Sequence, residues 1–279
     1  MDQIRLIASD MDATLLDENS QLPPDFVPMV KALAEQGILF AAASGRPLYT
    51  LKEMFPALQE EMIFIGDNGG AIFWKGKTLD VSEMPRAGWQ KLARCAHKAE
   101  DVGVLCGLES AYVEDRYRQY DPVMKQFYTR VEYVDDLETV GAPADKFTIY
   151  LPRGNAQEAY DALYGPACGG EFSVTVAGRN WVDCMNPGVH KGAALAALGR
   201  ELGIASTEMM AFGDTYNDQE MLRTARYGFL MENGTPELRA SVPFLAPSHR
   251  EQGVMQILKQ VLVQKGQVCP EDFRPARSS

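Results

Sequence analysis

The chain has 279 residues, 46% hydrophobic and 23% charged, an ordinary globular composition with enough apolar residues for one large domain or two of usual size. A net charge of −11 argues against a nucleic-acid-binding surface and reads as a soluble acidic exterior. There is no charged n-region before an apolar h-region, no apolar run of about 18 residues, and no CxxC pair among Cys95, Cys106, Cys168, Cys184 and Cys269. The expectation is a cytoplasmic protein with reduced thiols, without signal peptide, membrane span or zinc site.

Ile4–Ser9 is a short apolar run ending in acid, the pattern of a buried strand. Pro23–Gly37 carries Phe26, Val30, Leu33 and Ala34 at helical spacing and stops at glycine. Ile38–Ala43 is a second apolar run, closed by Ser44-Gly45-Arg46; Thr50–Phe55 suits a helix and Met62–Ile65 a third strand. This alternation predicts right-handed βαβ units in a parallel sheet. Asp10–Asp12, Ser44–Arg46 and Asp67–Gly69 then sit at carboxyl ends of strands, where such sheets bind ligands. The middle changes character: helix Arg86–Glu100, strands Val102–Leu108 and Ala111–Glu114, helix Pro122–Arg130, strand Asp145–Leu151, helix Ala156–Tyr164, and strands Phe172–Ala177 and Trp181–Met185. After Pro187 the first rhythm resumes with helix Lys191–Leu202, strand Met209–Phe212, helix Gln219–Ala225, strand Tyr227–Met231, a helical turn Pro236–Ala240 and a closing helix Val254–Val263. Gly266–Ser279 reads as a loosely held tail. The expected fold class is α/β: a doubly wound parallel-sheet core of residues 1–83 and 187–279, with an α+β domain of residues 84–186 inserted.

Four clusters carry chemistry: DMDAT (10–14), SGR (44–46), Lys191 and GDTYND (213–218). Alone, each has an ordinary structural explanation: a solvated loop or cap, a turn, a surface lysine, a turn with an N-cap. Arrangement changes their meaning, because three follow strands of one predicted sheet and the fourth opens a helix of the same domain. Convergence would crowd Asp10, Asp12, Asp214 and Asp218 into one cleft, where like charges raise one another's pKa unless a cation intervenes. The donors are all oxygen, which selects Mg²⁺ over Zn²⁺. Ser44, the Gly45 N–H, Asn217 and Lys191 are the donors and cation that a phosphoryl group needs.

In this order, DMDAT, SGR, the lysine of HKGAAL and GDTYND resemble the four motifs of the haloacid dehalogenase superfamily of phosphatases, and the insert resembles its class II cap. NGGAIF (68–73), WVDCMNPGVHKGAAL (181–195) and MENGTPELRASVPFLAPSHREQGVMQIL (231–258) are closest to the Cof-type subgroup of class IIB. The resemblance implies a Rossmann-like core and a phosphatase acting through an aspartyl-phosphate. It makes Asp10 the nucleophile and Asp12 the acid that protonates the leaving oxygen and then activates water. Asp10, the Asp12 carbonyl and Asp214 would ligate Mg²⁺, while the Met11 N–H, Ser44, Gly45, Asn217 and Lys191 hold phosphoryl oxygens. Asp218 would support the metal's waters or orient Lys191, and Thr14 would tie the turn to its own backbone or a neighbour. The implied partner is a small phosphorylated metabolite, with sugar phosphates first and nucleotides or pyridoxal phosphate behind. Neither nucleic acid nor membrane is expected.

Ala13 departs from the pattern, which usually has glycine there. A negative φ is expected, at which alanine costs little; a positive φ would strain it by roughly 1–2 kcal/mol. Asn68-Gly69 reads first as a tight hairpin turn between IFIG and AIFW, and second as an amide near the substrate. Arg46 reaches either a substrate anion or a loop partner. His190 reads as surface, and Trp181, Tyr112, Tyr117 and Tyr120 as cap core ahead of a sugar-binding face. Arg179, in a cap turn with Asn180, is a further candidate contact. Two other functions suit the same residues: a phosphomutase, which returns the phosphoryl group to a sugar hydroxyl, and a non-catalytic phosphometabolite binder. P-loop chemistry does not fit, because HKGAAL lacks the glycine-rich loop.

Overall fold

Leu6–Ser9, Leu39–Ala43, Met62–Gly66, Met209–Gly213 and Tyr227–Met231 are runs in which nearly every residue is buried, so each requires cover on both faces. The structure, a computed structural model describing residues 1–276, provides that cover. These strands and Phe244–Ala246 form the parallel part of an eight-stranded sheet in the order 244–246, 227–231, 209–213, 6–9, 39–43, 62–66. Ala71–Trp74, antiparallel to Met62–Gly66, and Lys77–Val81 extend one edge. On one face Leu6, Ala8, Ala41, Ile63 and Ala211 join Leu195 and Leu198 of helix Lys191–Leu202 and Leu222 of helix Gln219–Thr224. On the other, Phe26 meets Phe40 and Phe55, and Phe55 meets Phe64, at ring separations of 5.2, 5.8 and 6.0 Å. Helix Phe26–Glu35 supplies that face because Phe26, Met29, Val30 and Leu33 recur at the spacing of an amphipathic helix. This doubly wound sheet belongs to the first unit, which comprises 1–45, 55–79 and 190 onward.

The second unit comprises Arg46–Met54 and Asp80–Val189. Its six-stranded sheet runs in the order Ser173–Val176, Trp181–Met185, Ala144–Tyr150, Val102–Gly107, Ala111–Glu114, Val131–Val134, with only the last pair parallel. Helix Arg86–Ala99 and the helical stretch 156–168 cover one face through Trp89, Leu92, Tyr164 and Cys168. The other face meets Met124 and Tyr128. Trp181 packs there against Phe127 and Tyr150 at 5.4 and 4.7 Å, with Tyr120 on Tyr150 at 5.5 Å and Tyr117 beside them. Tyr112 packs against the helix-covered core. Arg46–Met54, read from the sequence as part of the first domain, packs with this unit: Tyr49 donates to the Arg130 carbonyl at 3.3 Å, and Glu53 pairs with Arg130 at 2.7 Å.

Several expectations need correction. Pro122–Arg130 is not one helix: Asp121–Met124 makes a single turn, and the chain then delivers Phe127 and Tyr128 to the sheet face. Asn68-Gly69 is not a two-residue turn. Gly66 pairs with Ala71, so the loop has four residues, and Asp67, Asn68 and Gly69 all take positive φ (50°, 55°, 102°). The C-terminal segment is not loose either. Gln267–Val268 pairs antiparallel with Asp2–Gln3, and the Phe273 ring meets Tyr227, Phe229 and Phe244 at 5.0–5.8 Å. The last three residues of that expectation, 277–279, lie outside the described residues. Among the described residues no helix is long and apolar enough to cross a membrane.

Candidate active site

Asp10 leaves the sheet where Leu6–Ser9 ends, its N–H donating to the Phe212 carbonyl at 2.9 Å. Met11, fully buried, then heads one tight turn through Leu15, closed by a 2.8 Å bond from the Leu16 N–H to the Met11 carbonyl. Inside it Asp12 is extended (φ −74°, ψ 126°) and Ala13 is left-handed (φ 59°, ψ 13°). The negative φ expected for Ala13 is therefore incorrect, and its Cβ carries roughly 1–2 kcal/mol of strain. Asp10 and Asp12 also differ in environment: the first is buried, the second exposed.

The GDTYND loop folds back on itself. Gly213 has no space for a side chain, since a Cβ would lie 2.4 Å from that of Asp218. Asp218 Oδ2 accepts from the N–H groups of Asp214 and Thr215 at 3.0 and 3.2 Å, and its Oδ1 accepts from Lys191 Nζ at 2.7 Å. Lys191 Nζ also donates to Asp10 Oδ1. Lys191 opens its helix behind His190, whose Nδ1 accepts from the Ala193 N–H at 3.1 Å. His190, read as a surface residue, is thus a half-buried N-cap. Gly192 permits the close crossing of helix Gln219–Thr224, because a Cβ there would lie 2.5 Å from the Glu220 carbonyl carbon. The result is a fully buried ammonium among the carboxylates of Asp10, Asp214 and Asp218, one oxygen from each lying within 4.8 Å of the others. Thr14 Oγ1 donates to Asp214 Oδ1 at 3.4 Å, so it ties the first motif to the last. Three acids, not four, form this group.

Burial, then the charge of Asp218, raises the Asp10 pKa well above the usual carboxylate range, and Lys191 offsets this only in part. The same two causes push Asp214 up to about 7. Burial by itself would lower Lys191, but Asp10 and Asp218 outweigh it and raise its pKa. With all three carboxylates ionised, one ammonium would leave two negative charges, which one divalent cation would balance, and an all-oxygen donor set suits Mg²⁺. A carboxylate with a raised folded pKa binds more protons folded than unfolded, so its contribution to stability falls as pH rises, here from about 4 to about 7. The metal-free protein is expected to melt roughly 5 °C higher at pH 5 than at pH 8 for this reason. Asp214→Asn should shrink that difference in a chelated thermal scan; an unchanged difference would refute the assignment.

A second group adjoins the first through Asn217, the neighbour of Asp218. Asn217 Oδ1 accepts from Thr215 Oγ1 at 2.6 Å, and its Nδ2 donates to Asn68 Oδ1 at 3.2 Å. Asn68 in turn donates its N–H to the Ser44 carbonyl at 2.9 Å. Gly45 lies against that amide, a Cβ there being 3.3 Å from Asn68 Oδ1. Asn68 therefore belongs both to the hairpin loop and to this group. Arg46 and Arg179 lie in the second unit. The Arg46 guanidinium stacks over Phe127 at 5.4 Å and donates to the Gln126 carbonyl at 2.7 Å, while Arg179 is exposed with its side chain against Gly154.

Sequence reasoning missed Asn233, whose Nδ2 donates to the Ala13 carbonyl at 2.8 Å. Its signal was faint: an Asn-Gly pair after a strand. The haloacid dehalogenase-like hydrolase family matches residues 7–258 of the chain. The 5-amino-6-(5-phospho-D-ribitylamino)uracil phosphatase YbjI of Escherichia coli is 33% identical over 266 residues, covering 93% of this chain and 96% of that protein. The HMP-PP phosphatase of Cronobacter sakazakii is 28% identical over 250 residues, covering 86% and 89%. Among solved structures, SMU.1108c from Streptococcus mutans superposes with a TM-score of 0.87 at 27% identity, over 93% of this chain and 99% of that one. A haloacid dehalogenase-like hydrolase from B. subtilis shares the fold, with a TM-score of 0.80 at 19% identity over 92% and 100%. With its parallel α/β sheet, its inserted sheet and this run of matches, the chain belongs to the haloacid dehalogenase-like hydrolases.

Proposed function

We propose that this hydrolase is a Mg²⁺-dependent cytoplasmic phosphatase of small phosphomonoesters, working through an aspartyl-phosphate on Asp10. The observation that carries this reading is the buried ammonium of Lys191 held among three carboxylates, Asp10 and Asp214 at the ends of neighbouring parallel strands and Asp218 in the loop after the second, in a chain whose curated relatives are named phosphatases. Asp10 attacks phosphorus, and the bond to the leaving oxygen breaks as the Asp10–phosphorus bond forms. Asp12, exposed and therefore able to meet both leaving group and water, gives its proton to that oxygen. It then takes a proton from the water that releases phosphate and restores Asp10. Lys191, the Met11 N–H, Ser44, Gly45 and Asn217 bind and orient the phosphoryl oxygens. Asp218 holds Lys191 in place, and Thr14 steadies Asp214. Asp10, the Asp12 carbonyl and Asp214 would hold Mg²⁺, which when bound adds positive charge against the phosphate.

The inserted unit is read as the part that selects the leaving group. Sugar phosphates head the substrate panel, joined by the phosphoribitylaminouracil that the Escherichia coli relative is named for. EDTA is expected to stop turnover of p-nitrophenyl phosphate and Mg²⁺ to restore it; indifference to both would sink the metal assignment. Product analysis with a hexose 1-phosphate should give free phosphate. A phosphate moved to another hydroxyl would instead identify a phosphomutase, and no turnover across a broad ester panel would identify a binder.

A further inference from the structure

We infer that Asn233 is a positioning residue for Asp12, a latch that holds the strained left-handed turn at Ala13. This rests on the reading of Asp12 as the general acid. A non-glycine residue at φ 59° persists only where its surroundings over-determine it. The restraint here is specific: Asn233 Nδ2 donates to the Ala13 carbonyl at 2.8 Å, across 220 residues of sequence. The opposite end of the same amide is fixed, because Asn233 Oδ1 accepts from the His249 N–H at 3.0 Å. A backbone donor on the oxygen settles which way the amide faces, and so aims its nitrogen at Ala13.

The segment bearing Asn233 is itself anchored to the last motif. The Thr235 N–H donates to the Asp214 carbonyl at 2.7 Å, and Gly234 approaches so closely that a Cβ would lie 2.7 Å from that oxygen. The Glu232 N–H bonds the Ala246 carbonyl at 2.9 Å. Residues 232–235 thus brace the turn containing Asp12 against the backbone of Asp214. Relaxation of Ala13 to negative φ would rotate the peptide joining it to Asp12, displacing the Asp12 carbonyl and re-aiming its carboxyl group. Glycine has no Cβ penalty at positive φ, so glycine at position 13 removes the need for the latch.

The test uses the full chain as parent, Asn233→Ala, Ala13→Gly and the double variant, assayed by kcat/KM on p-nitrophenyl phosphate and on an alkyl phosphate. All assays are run at saturating Mg²⁺, so that any weakened hold of the metal by the Asp12 carbonyl does not enter. A nitrophenolate leaves with little help, whereas an alkoxide needs a proton from Asp12. Asn233→Ala is expected to lower kcat/KM by roughly 30-fold on the alkyl ester and by less than about fivefold on the aryl ester, and Ala13→Gly to restore most of the loss. Equal losses on both esters, or a double variant as impaired as Asn233→Ala, would overturn the proposal. Asn233 is exposed, so its substitution spares the core; Asn233→Asp, which keeps the acceptor for His249 and loses the donor to Ala13, should behave the same way. Melting of the four metal-free proteins gives a readout independent of activity. Asn233→Ala should lower the midpoint by about 2 °C with alanine at 13 and by less with glycine; additive shifts would overturn the latch. A parent inactive on both esters would instead remove the phosphatase reading, and the melting cycle alone would then decide the latch.

Discussion

Asp10→Asn should reduce turnover of p-nitrophenyl phosphate by roughly 10⁴-fold or more while leaving the protein folded. The amide matches the carboxylate in shape, and its oxygen still accepts from Lys191. What disappears is the oxygen that the proposed mechanism uses as nucleophile, and Asp218 is already committed to Lys191 and two backbone N–H groups. Stability should hold or rise, because the substitution removes a carboxyl group whose pKa is raised well above the usual range by burial and by the charge of Asp218. Steady-state assays beside a thermal melt separate the two effects. Retained turnover would remove Asp10 as nucleophile, and a collapsed melt would make the residue structural.

Lys191→Met is expected to be damaging in both respects. The ammonium is fully buried and bonds Asp10 and Asp218 together, so a neutral side chain of similar length leaves two carboxylates facing each other out of water. Breaking a buried pair in this way costs about 3–5 kcal/mol, or roughly 10 °C in melting midpoint for a chain of this size. The loss should be smaller at pH 5 than at pH 8, since a carboxylate can shed its charge by protonation at the lower pH. Activity should fall roughly 10²–10³-fold, the scale of removing one oriented donor from a phosphoryl or acyl site. Melts at both pH values check the electrostatic part: an equal loss at pH 5 and pH 8 would mean that packing, and not charge, explains the damage.

The convergence of Asp10, Asp214, Asp218 and Lys191 was legible from the arrangement of their motifs and not from any one of them: two acidic clusters follow strands of one sheet, and the lysine opens a helix of the same domain. An apolar run stops, charge follows, and parallel topology places the strand ends side by side. The backbone angle of Ala13 was not legible, because it depends on a partner amide 220 residues away. The same reason hid the surroundings of Arg46, whose partners Phe127 and Gln126 come from the insert. Lys77–Val81 and Val131–Val134 escaped notice because most of their residues are at least partly exposed and show no clean apolar alternation. The C-terminal segment looked polar, with proline, charge and little apolar content, yet Val268 is fully buried and pairs with Asp2–Gln3. Local pattern reports what a segment buries on its own; it is silent on cover supplied from elsewhere.

The central position of Leu6–Ser9 also bears on how the chain is born. One of its two neighbours, Leu39–Ala43, emerges soon after it, but the other, Met209–Gly213, is made some two hundred residues later. At 5–20 residues per second a ribosome needs roughly 10–40 s to cover that interval. Throughout it one hydrogen-bonding edge of an apolar strand stands unpaired on the nascent chain, while the inserted segment is completed in between. Such long-range parallel pairing is intrinsically slow and exposes sticky edges. Protein yield should therefore respond more to slower synthesis or added chaperones than the stability of the finished molecule would suggest.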